Sequence, residues 1–526
     1  MTGALLRLAL RRDRVLLPAW LVGLTLMVVF SVSATKDLYP DDEFLETASE
    51  TINATPALVA LYGKIYDTSS LGATSLIKLT AFGSALVAIL FVFLVVRHSR
   101  AEEESGRQEL VAAGAVKRRA PLEAALLLGM AGSVALGILT AVGLGLLGLS
   151  WAGAVAFGAD WALCGIVFSA VAGVAAQVTT SARAAIGIGV ACVGIAYLLR
   201  AVGDLAPGDP GWASWLSPIG WSQQIRPFAG NRWWVMVIPL VATVALVAAA
   251  FVLRSHRDMG SGLVADRPGP AVGRIGSVAG LAWRLHRGAF LAWLVGAVLM
   301  GAVLGSIVDN ISGLLESPQL REYLELLGGR QALTEAFLAA EVGVLGALMS
   351  AYGISATSRL RSEESAGHAE SLLSTMVTRQ RWAASHFGLA LVAVAALMLL
   401  TGAAVGLTHG LAVGDPGGQT MRLAVAGVAQ VPAAWVVASI VMLLFGVIPR
   451  WVPVTWGLLA AFVVLGEFGV LWGLPRWVLD LSPFAHSPRL PGGSIDAAQL
   501  VGLVAVAAVL AVAGFATWRR RDVQGL

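Results

Sequence analysis

Charge is what this chain has least of. Only 13% of its 526 residues are Asp, Glu, Lys or Arg, against 57% hydrophobic, and the mean hydropathy is +0.78. Soluble domains run nearer 25% charged and 45–50% apolar, so a water-facing surface of ordinary size cannot be covered. The same apolar excess excludes a disordered or collagen-like chain. Cysteine is almost missing. Cys164 and Cys192 both sit inside apolar runs and read as small buried hydrophobes, which excludes a disulfide framework. Lysine occurs four times against 32 arginines, the bias of a GC-rich bacterial genome of the actinobacterial kind. Catalytic signatures are missing as well. There is no Gly-x4-Gly-Lys-[Ser/Thr], and Gly63-Lys64 lacks both the upstream glycine and the hydroxyl; His-Glu-x-x-His, Cys-x-x-Cys and Gly-x-Ser-x-Gly do not occur. The sequence therefore assigns no catalytic residue, no metal ligand and no cofactor to this chain.

What is abundant is long apolar runs, without the two-residue alternation of barrel strands. A bilayer is crossed by helices of about 20 apolar residues or by closed barrels. Twelve runs fit helices: 15–34, 76–96, 122–146, 159–179, 184–203, 233–253, 289–308, 337–357, 385–408, 420–446, 454–473 and 498–518. The first is too long for a signal-peptide core, and its Ala19-Trp20-Leu21-Val22-Gly23 returns in mid-chain, so it reads as a retained anchor. With the N-terminus inside, 25 of the 36 Lys and Arg fall on the cytoplasmic side, the expected positive-inside bias. That accounts for the net charge of +4 and the pI near 9.3 without nucleic acid. The acidic run Asp37, Asp41, Asp42, Glu43, Glu46, Glu50 then lies outside.

The chain is also duplicated. Ala19–Gly23 and Met27 match Ala292–Gly296 and Met300. Arg100-x-Glu102-Glu103-x-x-Gly106-x-x-Glu109 matches Arg361-x-Glu363-Glu364-x-x-Gly367-x-x-Glu370. Leu216-Ser217-Pro218 matches Leu481-Ser482-Pro483, and Arg257-Asp258 matches Arg521-Asp522. Four landmarks in one order, offset by about half the length, mark a tandem repeat. The expected architecture is an all-α polytopic membrane protein of about 12 transmembrane helices, six plus six about a pseudo-twofold axis, with both termini inside. Residues 1–253 form the first half, 254–274 a polar Gly/Pro-rich linker, and 275–526 the second half.

The loops 97–119 and 359–379 carry the most information. Each opens on acidic residues, passes through a short apolar segment and closes on basic ones, which suits a short helix with its dipole. Glu102-Glu103-x-x-Gly106-x-x-Glu109-Leu110, followed by Arg118 and Arg119, resembles the loop between the second and third helices of ABC exporter permeases. The Arg-rich N-terminal helix, Ser217-Pro218-x-x-Trp221 and the terminal Arg-Asp motifs extend the likeness over essentially the whole chain, to the fused two-half permeases that export polyketide antibiotics. The resemblance implies that the loops are coupling helices resting on a separate ATP-binding subunit, a homodimer that holds the ATP and Mg. Arg100, Glu102, Glu103, Gly106 and Glu109, with Arg361, Glu363, Glu364, Gly367 and Glu370, would contact it. The second loop departs from the pattern, with Ser371 and Gln380 in place of Leu110 and Arg119. The N-terminal stretch would lie along the membrane surface, with Arg7, Arg11 and Arg14 on one face.

Ionisable groups inside spans default to function. Arg200 and Glu467 map to nearly the same place in the fifth and eleventh runs, so an ion pair across the pseudo-twofold axis forming an outer gate is the expectation. Arg200 snorkelling to the outer headgroups is the plainer alternative. Ser217, Pro218, Trp221, Ser482 and Pro483 would roof the pathway as short re-entrant segments, or simply belong to an aromatic belt. Gln177, Gln430, His386 and His409 read as helix–helix hydrogen-bonding groups. The reading as a whole is the permease of an ATP-driven exporter of hydrophobic or amphipathic small molecules, multi-pass in the bacterial plasma membrane. Its rival is a proton-coupled secondary multidrug transporter, whose Gly-x-x-x-Asp-Arg pattern the 97–119 loop lacks. In a background free of Cys164 and Cys192, Glu46→Cys should react with an impermeant maleimide in intact cells. Ser105→Cys should react only after permeabilisation, and the reverse pattern would invert the topology.

Overall fold

The computed structural model describes residues 2–38, 42–54, 56–112, 114, 117–206, 210–258, 261–263, 276–311, 329–468 and 475–522. Among these residues the regular structure is helical and no strand is present. Eleven helices among the described residues are long and apolar enough to cross a bilayer, six before residue 256 and five after residue 277. The chain is thus an all-α polytopic membrane protein. It divides into two compact units, Met1–Pro268 and Gly269–Leu526.

In the first unit α1 (Thr2–Arg12) leads into α2 (Leu16–Leu38), followed by the short α3 (Asp42–Ala54) and α4 (Pro56–Tyr62). The second span is α5 (Leu71–Lys78) continued through a π-helical turn, Leu79–Gly83, into α6 (Ser84–Arg97). Two short helices, α7 (Arg100–Glu104) and α8 (Arg107–Ala112), precede α9 (Ala120–Leu146), α10 (Trp151–Val178) and α11 (Ala182–Leu205). The short α12 (Pro218–Gln224) and α13 (Val237–Ser255) complete the unit. Because α1 stops at Arg12, Arg14 lies in the turn beyond it and not on the helical face with Arg7 and Arg11. The helix leans on α9, where Thr2 Oγ1 donates to Glu123 Oε2 at 2.9 Å, and it leaves Leu8 and Leu10 exposed.

Apolar runs locate spans, but caps decide where they start. The fourth run, expected from 159, begins at Trp151 because the Ser150 hydroxyl accepts from the Gly153 amide. Ser181 and Thr378 open later spans in the same way. The tenth run is two helices end to end, Pro416–Ala429 and Val431–Val447, broken beside Pro432, which has no N–H to continue the ladder. Of the eleventh run, expected over 454–473, the helix Val454–Phe468 is described and 469–474 lie outside the described residues.

Glycine permits a close helix crossing between the third and fourth spans of each unit. A Cβ on Gly137 of α9 would run into the Gly158 carbonyl of α10, and one on Gly158 into the Gly137 carbonyl. In the second unit Gly402 and Gly427 bring Arg379–Val413 and Pro416–Ala429 together just as closely, against the carbonyls of Leu423 and Met398. In lipid, where there is no hydrophobic drive between helices, small residues let backbones approach and dispersion hold them. Gly158→Leu should therefore lower the stability of the purified chain by about 2 kcal/mol through overpacking. Gly187→Leu, at a position with nothing within 4 Å, should leave its thermal unfolding in detergent unchanged.

Candidate functional site

The loop between the second and third spans has the same form in both units. In the first, α7 ends at Glu104, Gly106 turns the chain at φ +71°, and α8 begins at Arg107. In the second, the helix Arg359–Ser365 ends one residue before Gly367, which turns at φ +75° into His368–Leu373. Left-handed backbone costs a glycine least, so this residue permits the break between the two short helices.

Glu103 and Glu364 face inward. The Glu103 carboxylate is buried and takes Arg100 Nη1 at 2.6 Å, Arg257 Nη2 at 2.7 Å and Arg254 Nη1 at 3.5 Å. Arg257 Nε also donates to Gln177 Oε1 at 2.8 Å, and Arg100 reaches the carbonyls of Thr179 and, at 2.8 Å, Ser261. Glu364, equally buried, takes Arg521 Nη2 on both oxygens, at 2.8 and 2.7 Å. Arg521 lies over the rings of Trp518 and Phe445, at 4.9 and 5.2 Å. Two motifs noticed separately in the sequence, the acidic loop and the Arg-Asp after the last span, are thus one clamp, built once in each unit. Glu103 and Glu364 anchor the loop and do not present their carboxylates on its surface.

The residues left outward are different ones. Glu109 and Glu370 are exposed, with Arg107 beside the first and His368 near the second. Glu102 pairs with Arg12 at the end of α1 and with Arg107 at 3.6 Å. Glu363 holds Arg359 at 3.2 Å and His368 at 3.1 Å, while Arg361 is half-buried. Glu104, which the sequence reading did not single out, caps α11 by accepting from the Ala182 amide at 2.8 Å.

At the other end of the first unit Arg200 is fully buried. It pairs with Asp204 Oδ2 at 3.1 Å, stacks on the Tyr197 ring at 4.5 Å, and donates to the carbonyls of Val59, Ala60 and Leu61. Its partner lies four residues on along the same helix face, a spacing readable in the sequence. Arg200 does not snorkel. The Glu467 side chain expected as its counterpart lies outside the described residues. Ser217 accepts from the Gly220 amide and donates to Ala196 O at 2.6 Å, tying α12, which starts at Pro218, to α11. Trp221 Nε1 donates to Trp215 O at 2.6 Å. Ser482 repeats the tie in the second unit, donating to Phe462 O at 3.3 Å ahead of the short turn Pro483–His486. Gln430 donates to Pro488 O at 3.1 Å, and His386 meets His286, which the sequence reading passed over, at 3.0 Å. Among the described residues no group of three or more His, Cys, Asp or Glu could hold a metal.

Eleven spans, charges paired inside each unit and a repeated clamp define a polytopic helical membrane protein with no built catalytic centre among the described residues. Residues 3–253 and 275–519 match a protein-family profile described as the C-terminal domain of the multidrug efflux system permease Rv1217c. The chain is 42% identical over 527 residues to the multidrug efflux system permease protein Rv1217c of Mycobacterium tuberculosis (strain ATCC 25618 / H37Rv), covering 99% of this chain and 95% of that one. It belongs to the Rv1217c family of multidrug efflux system permeases.

Breaking a buried ion pair strands a charge, at a cost of about 3–5 kcal/mol. Asp204→Ala should lower thermal stability in detergent by about that amount. Glu364→Ala and Arg521→Ala should each destabilise the second unit, with the double variant little worse than either alone. A strictly additive double variant would break the clamp.

Proposed function

We propose that this chain is the membrane permease of a drug-efflux system, and that it is energised by a separate ATP-binding subunit acting on the two helix–glycine–helix loops. The hydrolytic chemistry, with its ATP and Mg, would belong to that subunit. A homodimer would suit two loops of one design. The cargo would be a hydrophobic or amphipathic small molecule, an antibiotic or drug, moved across the bacterial plasma membrane. The family supports efflux; the clamp supports the route of coupling.

The observation that carries the coupling is the buried Glu–Arg pair between each loop and the end of the last helix of its own unit. A push on α8 or on His368–Leu373 reaches a segment roped to the end of that helix by charges that cannot separate cheaply. In the first unit Gln177 and Thr179 add the end of α10 to the same rope, through Arg257 and Arg100. The loop can therefore drive helix ends as a rigid lever. The partner would read the exposed residues, Arg107, Glu109, His368 and Glu370, and not the buried carboxylates.

Purification from native membranes in mild detergent, with mass spectrometry of what accompanies the chain, tests the proposal. The expected result is a stoichiometric ATP-binding subunit, reduced at least tenfold by Glu109→Lys with Glu370→Lys while the chain keeps its thermal stability. A chain that arrives alone and transports in proteoliposomes under a proton gradient would overturn the proposal in favour of a secondary transporter.

A further inference from the structure

Asp160 is a fully buried carboxyl in a span of the first unit that none of the preceding roles uses. It is the tenth residue of α10, about 14 Å along the helix from Trp151. Its side chain is fully buried, and neither carboxyl oxygen has a hydrogen-bond partner among the described residues. The polar group facing it is the Ser222 hydroxyl of α12. The cations on neighbouring segments are engaged elsewhere. Lys78, next to the Leu79 carbonyl that takes Trp161 Nε1, lies 5.4 Å over the Tyr62 ring. Arg200 is engaged with Asp204, and Arg226 lies 3.6 Å over the Tyr66 ring and donates to Gln224. Of the helices packed on α10, α9 carries Glu123 and α6 carries Arg97, each at the end remote from Asp160. α13 carries Arg254 at its far end, and α11 carries Arg183 at its start besides the Arg200–Asp204 pair. Along α10 itself Cys164 is one turn away and donates to Ser84 O at 3.3 Å.

The second unit supplies an internal comparison. There the contact from the fourth span to the Ser-Pro segment is made by Gln430, whose Nε2 donates to Pro488 O at 3.1 Å. Gln430 lies three residues after Gly427 and Asp160 two after Gly158, so each sits within a turn of its glycine crossing without sharing one register position. The contact in the second unit is made by an uncharged side chain. An ionised carboxylate in the same surroundings would have the Ser222 hydroxyl beside it but no counter-charge, whereas the neutral acid is far cheaper to bury.

We propose that the Asp160 carboxyl is a proton-binding site, neutral while α12 covers it and ionised when α12 moves away and water takes up the proton. The first unit thus carries a proton-sensitive latch on α12 where the second has the uncharged Gln430. The site does not depend on how the permease is energised.

Infrared difference spectra of the full-length protein with isotope-labelled aspartate provide the direct test. A protonated-carboxyl band at neutral pH in the wild type, gone in Asp160→Asn, is expected. A wild type without the band, or a variant that retains it, overturns the proposal. Efflux of a hydrophobic dye should fall at least threefold as the outer pH rises from about 6 to about 9, the range in which buried carboxyls ionise, and stay flat in Asp160→Asn. Parallel profiles would again overturn it. Should Asp160→Asn fail to fold, Ser222→Ala keeps the acid and must move its titration; an unmoved titration refutes the latch.

Discussion

A carboxylate buried beneath an arginine from the end of the last helix is the contact on which each unit depends. Glu103 under Arg257 and Glu364 under Arg521 close a loop that would otherwise hang free between two spans. Glu103, Arg257 and Glu364 are buried and Arg521 is half-buried, so each pair holds as long as both partners stay in place, and separating them strands a charge. That makes the loop and the helix end one mechanical body. The left-handed glycine after each anchored helix then frees the next short helix to face outward. One constraint thus produces both the rigidity of the loop and the exposure of its second helix.

The two clamps share a frame but not their fittings. Glu103 gathers three arginines, whereas Glu364 meets Arg521 on a shelf made by Trp518 and Phe445. Trp518 stands in the repeat where Arg254 stands in the first unit, exchanging a charge for an aromatic face. The glycine crossings that bring the third and fourth spans together are alike in both units, because close backbone approach tolerates no substitute. Asp160 against Ser222, and Gln430 against Pro488, differ again in charge while serving one contact. The two units share these backbone features and differ in the side chains at their buried polar points.

Much of the fold was legible in the apolar runs, since a bilayer-crossing helix must hide its backbone and show about 20 greasy residues in a row. Their ends were less so. Ser150 starts α10 eight residues before the run expected at 159, and that shift puts Asp160 well inside the helix instead of at its edge, so its cost passed unnoticed. Within the loops, Glu102, Glu103, Gly106 and Glu109 and their counterparts were visible as a repeated spacing, whereas Glu104, which caps α11, stood outside it. Which glutamates turn inward was not, because a five-residue helix has too little periodicity to reveal a face. Arg200 stood out in the sequence as an ionisable group inside a span, but the sequence reading looked for its partner in Glu467 or in the headgroups and not in Asp204, one turn away.

By itself the sequence determined the solvent of this protein and its helical class, since each is written in composition and in long apolar runs along the chain. Tertiary structure alone decided the pairing of the charges. Glu103 meets an arginine 154 residues away and Glu364 one 157 residues away. Local pattern carries no record of such a contact. Folding makes it, because a charge drawn out of water takes whatever counter-charge the packed helices bring within reach.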